Sequence, residues 1–168
     1  MLRGRSVTLR PATDDDVAAL AAIRAHPEVR RWWRGDDDLA GTVRADLDDD
    51  ELTVYAVEHD GRVVGAIQWY EESDPDYRHA SLDLFLDPEV RGRGLGGDAI
   101  RTLARHLIDS HGHHRITIDP AAANTAAIRA YAKVGFRPVG ILRRYERGAD
   151  GRWHDGVLMD LLADELAD

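Results

Sequence analysis

Apolar side chains recur along the chain at two different spacings, and the change from one to the other marks out its elements. Val7 to Arg10 alternates and stops at Pro11, which predicts a strand. Thr13-Asp14-Asp15-Asp16 then supplies a capping residue and acidic first-turn positions for a helix carrying Val17, Leu20, Ala21 and Ile23, ended or redirected by Pro27. A short helical stretch over Glu28 to Trp33 follows, and Leu39 to Leu47 adds another turn or two before an acidic run, Asp46 to Glu51, expected to be a solvated face. Leu52 to Glu58 and Arg62 to Trp69 are β-rich and flank Asp60-Gly61, a strong hairpin signal. Ala80 to Leu86 is the fourth predicted strand, ended by Asp87-Pro88.

Leu95, Ala99, Ile100, Leu103, Leu107 and Ile108 sit at helical spacing and predict the longest helix, closed near Gly112. Arg115 to Ile118 reads as a short buried strand. Ala127, Ile128, Tyr131 and Val134 share one face of a last helix that stops at Gly135, and Phe136 to Leu142 and Val157 to Leu162 close the chain as strands joined through Gly148 and Gly151. The order β, α, α, β, β, β, α, β, α, β, β argues for a mixed α/β (α+β) domain, antiparallel at first, with a later βαβ crossover.

Length and composition narrow the function. A chain of 168 residues, 43% hydrophobic and 32% charged, fits one domain spanning 1–168. No apolar run approaches the roughly 18 residues of a membrane span, and no signal-peptide segment follows Met1, so a soluble, cytoplasmic protein is expected. Cysteine is absent, which excludes disulfides, thiolate nucleophiles and cysteine-ligated zinc. The 31 Asp and Glu against 22 Lys and Arg leave a formal charge of -9, which repels nucleic acid and anionic membranes and attracts a polycationic small molecule.

The chemistry gathers around Arg91-Gly92-Arg93-Gly94-Leu95-Gly96-Gly97, which follows a strand and opens the long helix. Glycines let a ligand approach the backbone, and the free amides and dipole of a helix N-terminus favour an anion such as a pyrophosphate. A P-loop would end in Gly-Lys-Ser/Thr, and a dinucleotide-binding fold would place the turn after its first strand; neither holds here. Tyr131 either fills the core or points its hydroxyl at a ligand. Asp83, in Leu82-Asp83-Leu84-Phe85-Leu86, is a carboxylate in an apolar strand and needs a partner or a task. The adjacent indoles Trp32 and Trp33 cannot both face one core, so at least one is expected to line a cleft. His111, His113 and His114 lack metal-ligand spacing; no metal is expected, and they are read as solvent-facing.

Arg91-x-x-Gly94-x-Gly96 resembles the cofactor motif of the GNAT N-acetyltransferases, and Asn124-x-x-Ala127-Ile128-x-x-Tyr131-x-Lys133-x-Gly135-Phe136 resembles that family's second motif. The likeness covers nearly the whole chain. It implies a mostly antiparallel twisted sheet of six to seven strands, splayed between the fourth and fifth, flanked by helices. It also implies acetyl-CoA as cosubstrate, held by Arg91, Gly92, Arg93, Gly94, Leu95, Gly96 and Gly97, by the backbone of Leu86 and by Asn124. Tyr131 becomes the general acid.

The segments Val29 to Gly35, Leu82-Asp83-Leu84 and Asp119-Pro120 through Asn124 to Tyr131 are further similar to the aminoglycoside 6'-N-acetyltransferases. That likeness implies Asp83 as the carboxylate engaging the amine, with Trp32, Trp33, Asp119 and Asp155 as acceptor contacts. It also implies acetylation of an aminoglycoside antibiotic. A monomer or a homodimer is expected, with no residue that decides between them. A polyamine, a siderophore lysine or a protein N-terminus is the alternative acceptor, and a non-catalytic acetyl-CoA sensor the alternative class. Ala132 stands where the subgroup often has Glu.

Overall fold

The computed structural model describes residues 1–167. Its eight strands form one sheet: β1 (Leu2–Arg3), β2 (Thr8–Pro11), β3 (Thr53–His59), β4 (Arg62–Glu72), β5 (His79–Leu86), β6 (Arg115–Ile118), β7 (Arg137–Arg147) and β8 (Trp153–Leu162). They are ordered β1-β2-β3-β4-β5-β6-β8-β7, and every neighbour pair is antiparallel except β5 with β6. The expected mixed sheet with a late crossover is present. The strand beyond the six to seven expected is β1, whose two residues are too short to show alternation.

Five α-helices flank the sheet: α1 (Val17–Ala25), α2 (Pro27–Arg30), α3 (Leu39–Asp48), α4 (Leu95–Asp109) and α5 (Thr125–Val134). Strand alternation divides the core between the two faces. Ile67 and Trp69 of β4 join Leu82, Ile116 and Met159 against Leu103 and Leu107 of α4 and Val134 of α5. Ala66 and Phe85 turn the other way, against Val17, Leu20, Val29 and Val43 of α1, α2 and α3. The glycine stop of α4 is a left-handed cap: Gly112 has φ +70, and the amides of Gly112 and His113 return to Ile108 O and Leu107 O.

Two polar pins fix the N-terminal segment. The Arg10 guanidinium makes a two-pronged pair with Asp16 at 2.7 Å, and this bonding holds the Asp16 carboxyl below the usual carboxylate range despite its burial. Asp98, in the first turn of α4, accepts from the amides of Arg5, Ser6 and Val7 at 3.0, 2.7 and 3.1 Å.

Three sequence expectations need correction. The acidic run is not wholly solvated, because Asp46 is half-buried beside Arg24, 2.9 Å away. His113 is 1% exposed rather than solvent-facing, its ring set edge-on to Trp69 at 5.8 Å. The closing strands reach beyond Phe136 to Leu142 and Val157 to Leu162, because polar and charged residues with no alternation still satisfy ladder hydrogen bonds in an exposed hairpin.

Between β5 and β6 the sheet opens. Only Ala80↔Ile116 and Ser81↔Thr117 pair, although β5 runs on to Leu86. The hydroxyls of Ser81 and Thr117 meet at 2.6 Å and close the apex of the gap.

Candidate active site

The glycine turn lies at the mouth of this gap. After Pro88–Val90, a single 3-10 turn, the chain reaches Gly92 and Gly94 with φ +76 and +78, and Gly94 stands at the N-cap of α4 with no side chain capping the helix. A Cβ at either glycine would meet nothing within 4 Å, so the requirement is for left-handed backbone rather than for space. Gly96 packs against the side chains of Leu84 and Leu86 on β5, which sets the helix N-terminus against the end of the strand. The result is an exposed, uncapped helix N-terminus of the kind that binds an anion. The Arg91 guanidinium is drawn to Glu28 of α2 at 2.6 Å, while Arg93 is exposed. Asn124 caps α5 by accepting from the Ala127 amide at 3.2 Å, which leaves its NH2 group for other partners.

Asp83 lies where the strands part, near enough for its charge to act on the Tyr131 phenol. Asp83 lies two residues past the last β5–β6 pair, half-buried, and accepts from the Leu84 amide at 2.9 Å. Desolvation pushes its carboxyl up to about 7; the Leu84 hydrogen bond opposes the rise, Asp119 and Glu146 reinforce it, and the Arg24 charge opposes it. Tyr131 is 8% exposed, and burial, with the fields of Asp83 and Asp119, raises its phenol well above the ordinary tyrosine value. At neutral pH the phenol is therefore a proton donor and the carboxyl is poised between its two states.

Of the two indoles, Trp33 is a structural wedge. Its Nε1 donates to Leu84 O at 3.1 Å, its ring meets Phe85 edge-on at 4.8 Å, and the Arg24 guanidinium lies 5.4 Å from its centroid. Trp32 is half-buried beneath Arg31, 4.6 Å above its ring. Asp119 is half-buried and its Oδ2 accepts from the Tyr145 hydroxyl at 2.5 Å. Asp155 is exposed, with Oδ1 accepting from the Arg144 amide at 2.8 Å.

Four residues of this region were not singled out from sequence: Arg24, Tyr70, Tyr145 and Glu146. Arg24 is 3% exposed, inside a helix whose pattern reads as amphipathic, and donates to Asp46 and to Arg34 O, both at 2.9 Å. Tyr145 and Glu146 lie in Arg143-Arg144-Tyr145-Glu146-Arg147, where charge hides the strand. The phenol of Tyr145 is held well above its usual value by the hydrogen bond to Asp119, then by burial, with Tyr70 and Glu146 adding to the effect. The arrangement can hold an anionic chain at one end and a cationic amine at the other, with a carboxyl and a phenol between them.

Residues 6–137 match the family described as "Acetyltransferase (GNAT) domain". The chain belongs to the GNAT acetyltransferase family. It is 30% identical over 155 residues to aminoglycoside N(6')-acetyltransferase type 1 of Klebsiella pneumoniae, covering 80% of this chain and 76% of that protein. It is also 30% identical over 160 residues to phosphinothricin N-acetyltransferase of Alcaligenes faecalis, covering 90% and 80%. The solved structure of AAC(6')-Ib with parmomycin and acetyl-CoA superposes with a TM-score of 0.78 at 27% identity, covering 95% of each chain. The GNAT fold and N-acetyl transfer are thereby established for this chain. The family match ends at residue 137, so most of the β7–β8 hairpin, with Tyr145, Glu146 and Asp155, lies outside it.

Proposed function

We propose that the protein transfers the acetyl group of acetyl-CoA to a primary amine of an aminoglycoside, the 6'-amine, and so inactivates the antibiotic. The observation that carries this reading is that Asp83, Tyr131 and Asp119 lie close enough, where β5 and β6 separate, for both aspartate charges to act on the phenol. The amides from Gly92 to Gly97, the Leu86 backbone and the NH2 of Asn124 would hold the coenzyme, and Arg91 would exchange Glu28 for its phosphates. Acetyl-CoA supplies an acetyl group activated as a thioester. The acceptor arrives as an ammonium ion; Asp83 takes its proton, and Tyr131 gives a proton to the departing sulfur. The amine is the only nucleophile required, in keeping with a chain that lacks cysteine.

The acceptor end favours a polycation. Asp119 and Glu146 both act on Asp83, and a neighbourhood of three carboxyl groups attracts several ammonium groups. An anionic acceptor such as phosphinothricin suits it poorly. Trp32 offers a ring face for sugar C–H surface. A linear polyamine shares the charge but not that need, which makes it the competing acceptor.

The test is acetyl-CoA-dependent thiol release across kanamycin, tobramycin, amikacin and linear polyamines, with resistance measured in a susceptible host. Turnover and resistance with at least one aminoglycoside are expected. Asp83→Asn and Tyr131→Phe should each lower kcat by about 10²-fold or more while leaving acetyl-CoA affinity unchanged. Turnover with polyamines alone would move the assignment to them, and full activity in both variants would remove the two residues from the mechanism.

A further inference from the structure

The hairpin beyond the family match carries a device built around one residue. Leu142 pairs with Gly156 and Glu146 with His154, so Arg143, Arg144 and Tyr145 of β7 stand opposite Asp155 alone. Arg144 has φ +49, a left-handed conformation that a residue with a Cβ adopts only when held. Its holding contact is a hydrogen bond, which the Arg144 amide donates to Asp155 Oδ1 at 2.8 Å.

The main chain of Asp155 works in the other direction. Its carbonyl accepts from the Ala122 amide at 2.8 Å, and Val157 N donates to Pro120 O at 2.9 Å. These bonds fasten β8 to the loop that begins at Asp119. Gly156 completes the arrangement, since a Cβ there would lie 3.0 Å from Tyr145 Cδ1 and 3.6 Å from Pro120 O. The Tyr145 ring thus lies across Gly156, with its hydroxyl donating to Asp119 Oδ2. Both partners of that hydrogen bond are located by Asp155, one through its side chain and one through its backbone.

We propose that Asp155 is a positioning residue rather than an acceptor contact: it pins the β7 bulge, the bulge delivers Tyr145, and Tyr145 holds Asp119 Oδ2 so that Oδ1 faces an ammonium group of the acceptor. The acceptor's identity rests on the function proposed above; the chain of contacts does not. Among the described residues the side-chain hydrogen bond of Asp119 is the one Tyr145 donates to Oδ2, which leaves Oδ1 able to accept from a ligand.

The experiment compares Asp155→Ala, Asp155→Asn, Tyr145→Phe and the Ala/Phe double variant, reading kcat, acceptor KM, acetyl-CoA KM and calorimetric binding of kanamycin and spermine. Asp155→Ala and Tyr145→Phe should each raise the acceptor KM about tenfold, with kcat and acetyl-CoA KM little altered. The double variant should be no worse than the poorer single one, because both cut the same chain. Asp155→Asn should restore KM to within about twofold of wild type, since an amide oxygen still accepts from the Arg144 amide.

If Asp155 met the acceptor through its charge, Asn would be as damaging as Ala, and that result would overturn the proposal. Additive losses in the double variant would overturn it as well. Should wild type neither bind nor acetylate kanamycin or spermine, the function proposed above fails instead. The contacts are then judged by the crystal structure of Asp155→Ala, expected to show the Tyr145 hydroxyl released from Asp119. A retained Tyr145–Asp119 bond there would refute the relay.

Discussion

Asp83 carries a stability cost that the proposed reaction requires. An aspartate in an unfolded chain titrates near 3.9, whereas in the folded protein burial moves it up to about 7. Between these values the folded chain binds more protons than the unfolded one, so this residue's contribution to stability falls as pH rises through about 4 to 7. Asp83→Asn removes that slope. Its Tm should exceed that of wild type by about 3 °C or more at pH 8 and by much less at pH 5, as differential scanning calorimetry can record. In wild type, kcat/KM should climb through about pH 7 as the carboxylate forms, with the same acceptor at every pH. Asp83 was legible in the sequence because a charge inside Leu82-Asp83-Leu84-Phe85-Leu86 is chemically out of place. Arg24 was not, because one cation on a helix looks solvated until Trp33, Phe85 and Asp46 are packed around it.

At the level of elements, the helix bearing the glycine turn is anchored at a point far from it in sequence. Asp98 gathers three amides of residues 5–7 onto α4. Asp98→Ala leaves those donors without their partner, of which only the Val7 amide belongs to a buried residue, and a loss of about 1–3 kcal/mol is expected in urea unfolding. Asp98→Asn, which keeps one accepting oxygen, should lose less. Helical periodicity made α4 and α5 legible from Leu95 to Val134, and glycine marked both of their ends. The β7–β8 hairpin was readable only in its apolar portion, because Arg143 to Arg147 pairs with Trp153 to Asp155 in solvent and carries no period-two signal. The bulge at Arg144 depends on a contact eleven residues away, which no local pattern encodes.

The molecule as a whole bears a charge of -9, and Asp83, Asp119 and Glu146 concentrate part of its negative charge at the proposed acceptor end. Attraction between such a surface and a polycation is screened over roughly 8–10 Å at moderate salt. Raising the salt from about 0.05 to 0.5 M should therefore increase the KM for a polycationic acceptor severalfold, with a smaller effect on a monoamine, as steady-state kinetics can determine. Composition suggests a cationic ligand, in keeping with the function proposed above; the fold shows where carboxyl groups lie close enough to act on one another. The β5–β6 junction has a further consequence. Two residue pairs, the Ser81–Thr117 hydroxyl contact and a hydrogen bond from the Thr117 hydroxyl to Ala80 O join five strands on one side to three on the other. Apart from the edge strand β1, the ladder is thus thinnest at the proposed ligand site, and a guest lodged there would itself become the mortar between the two walls.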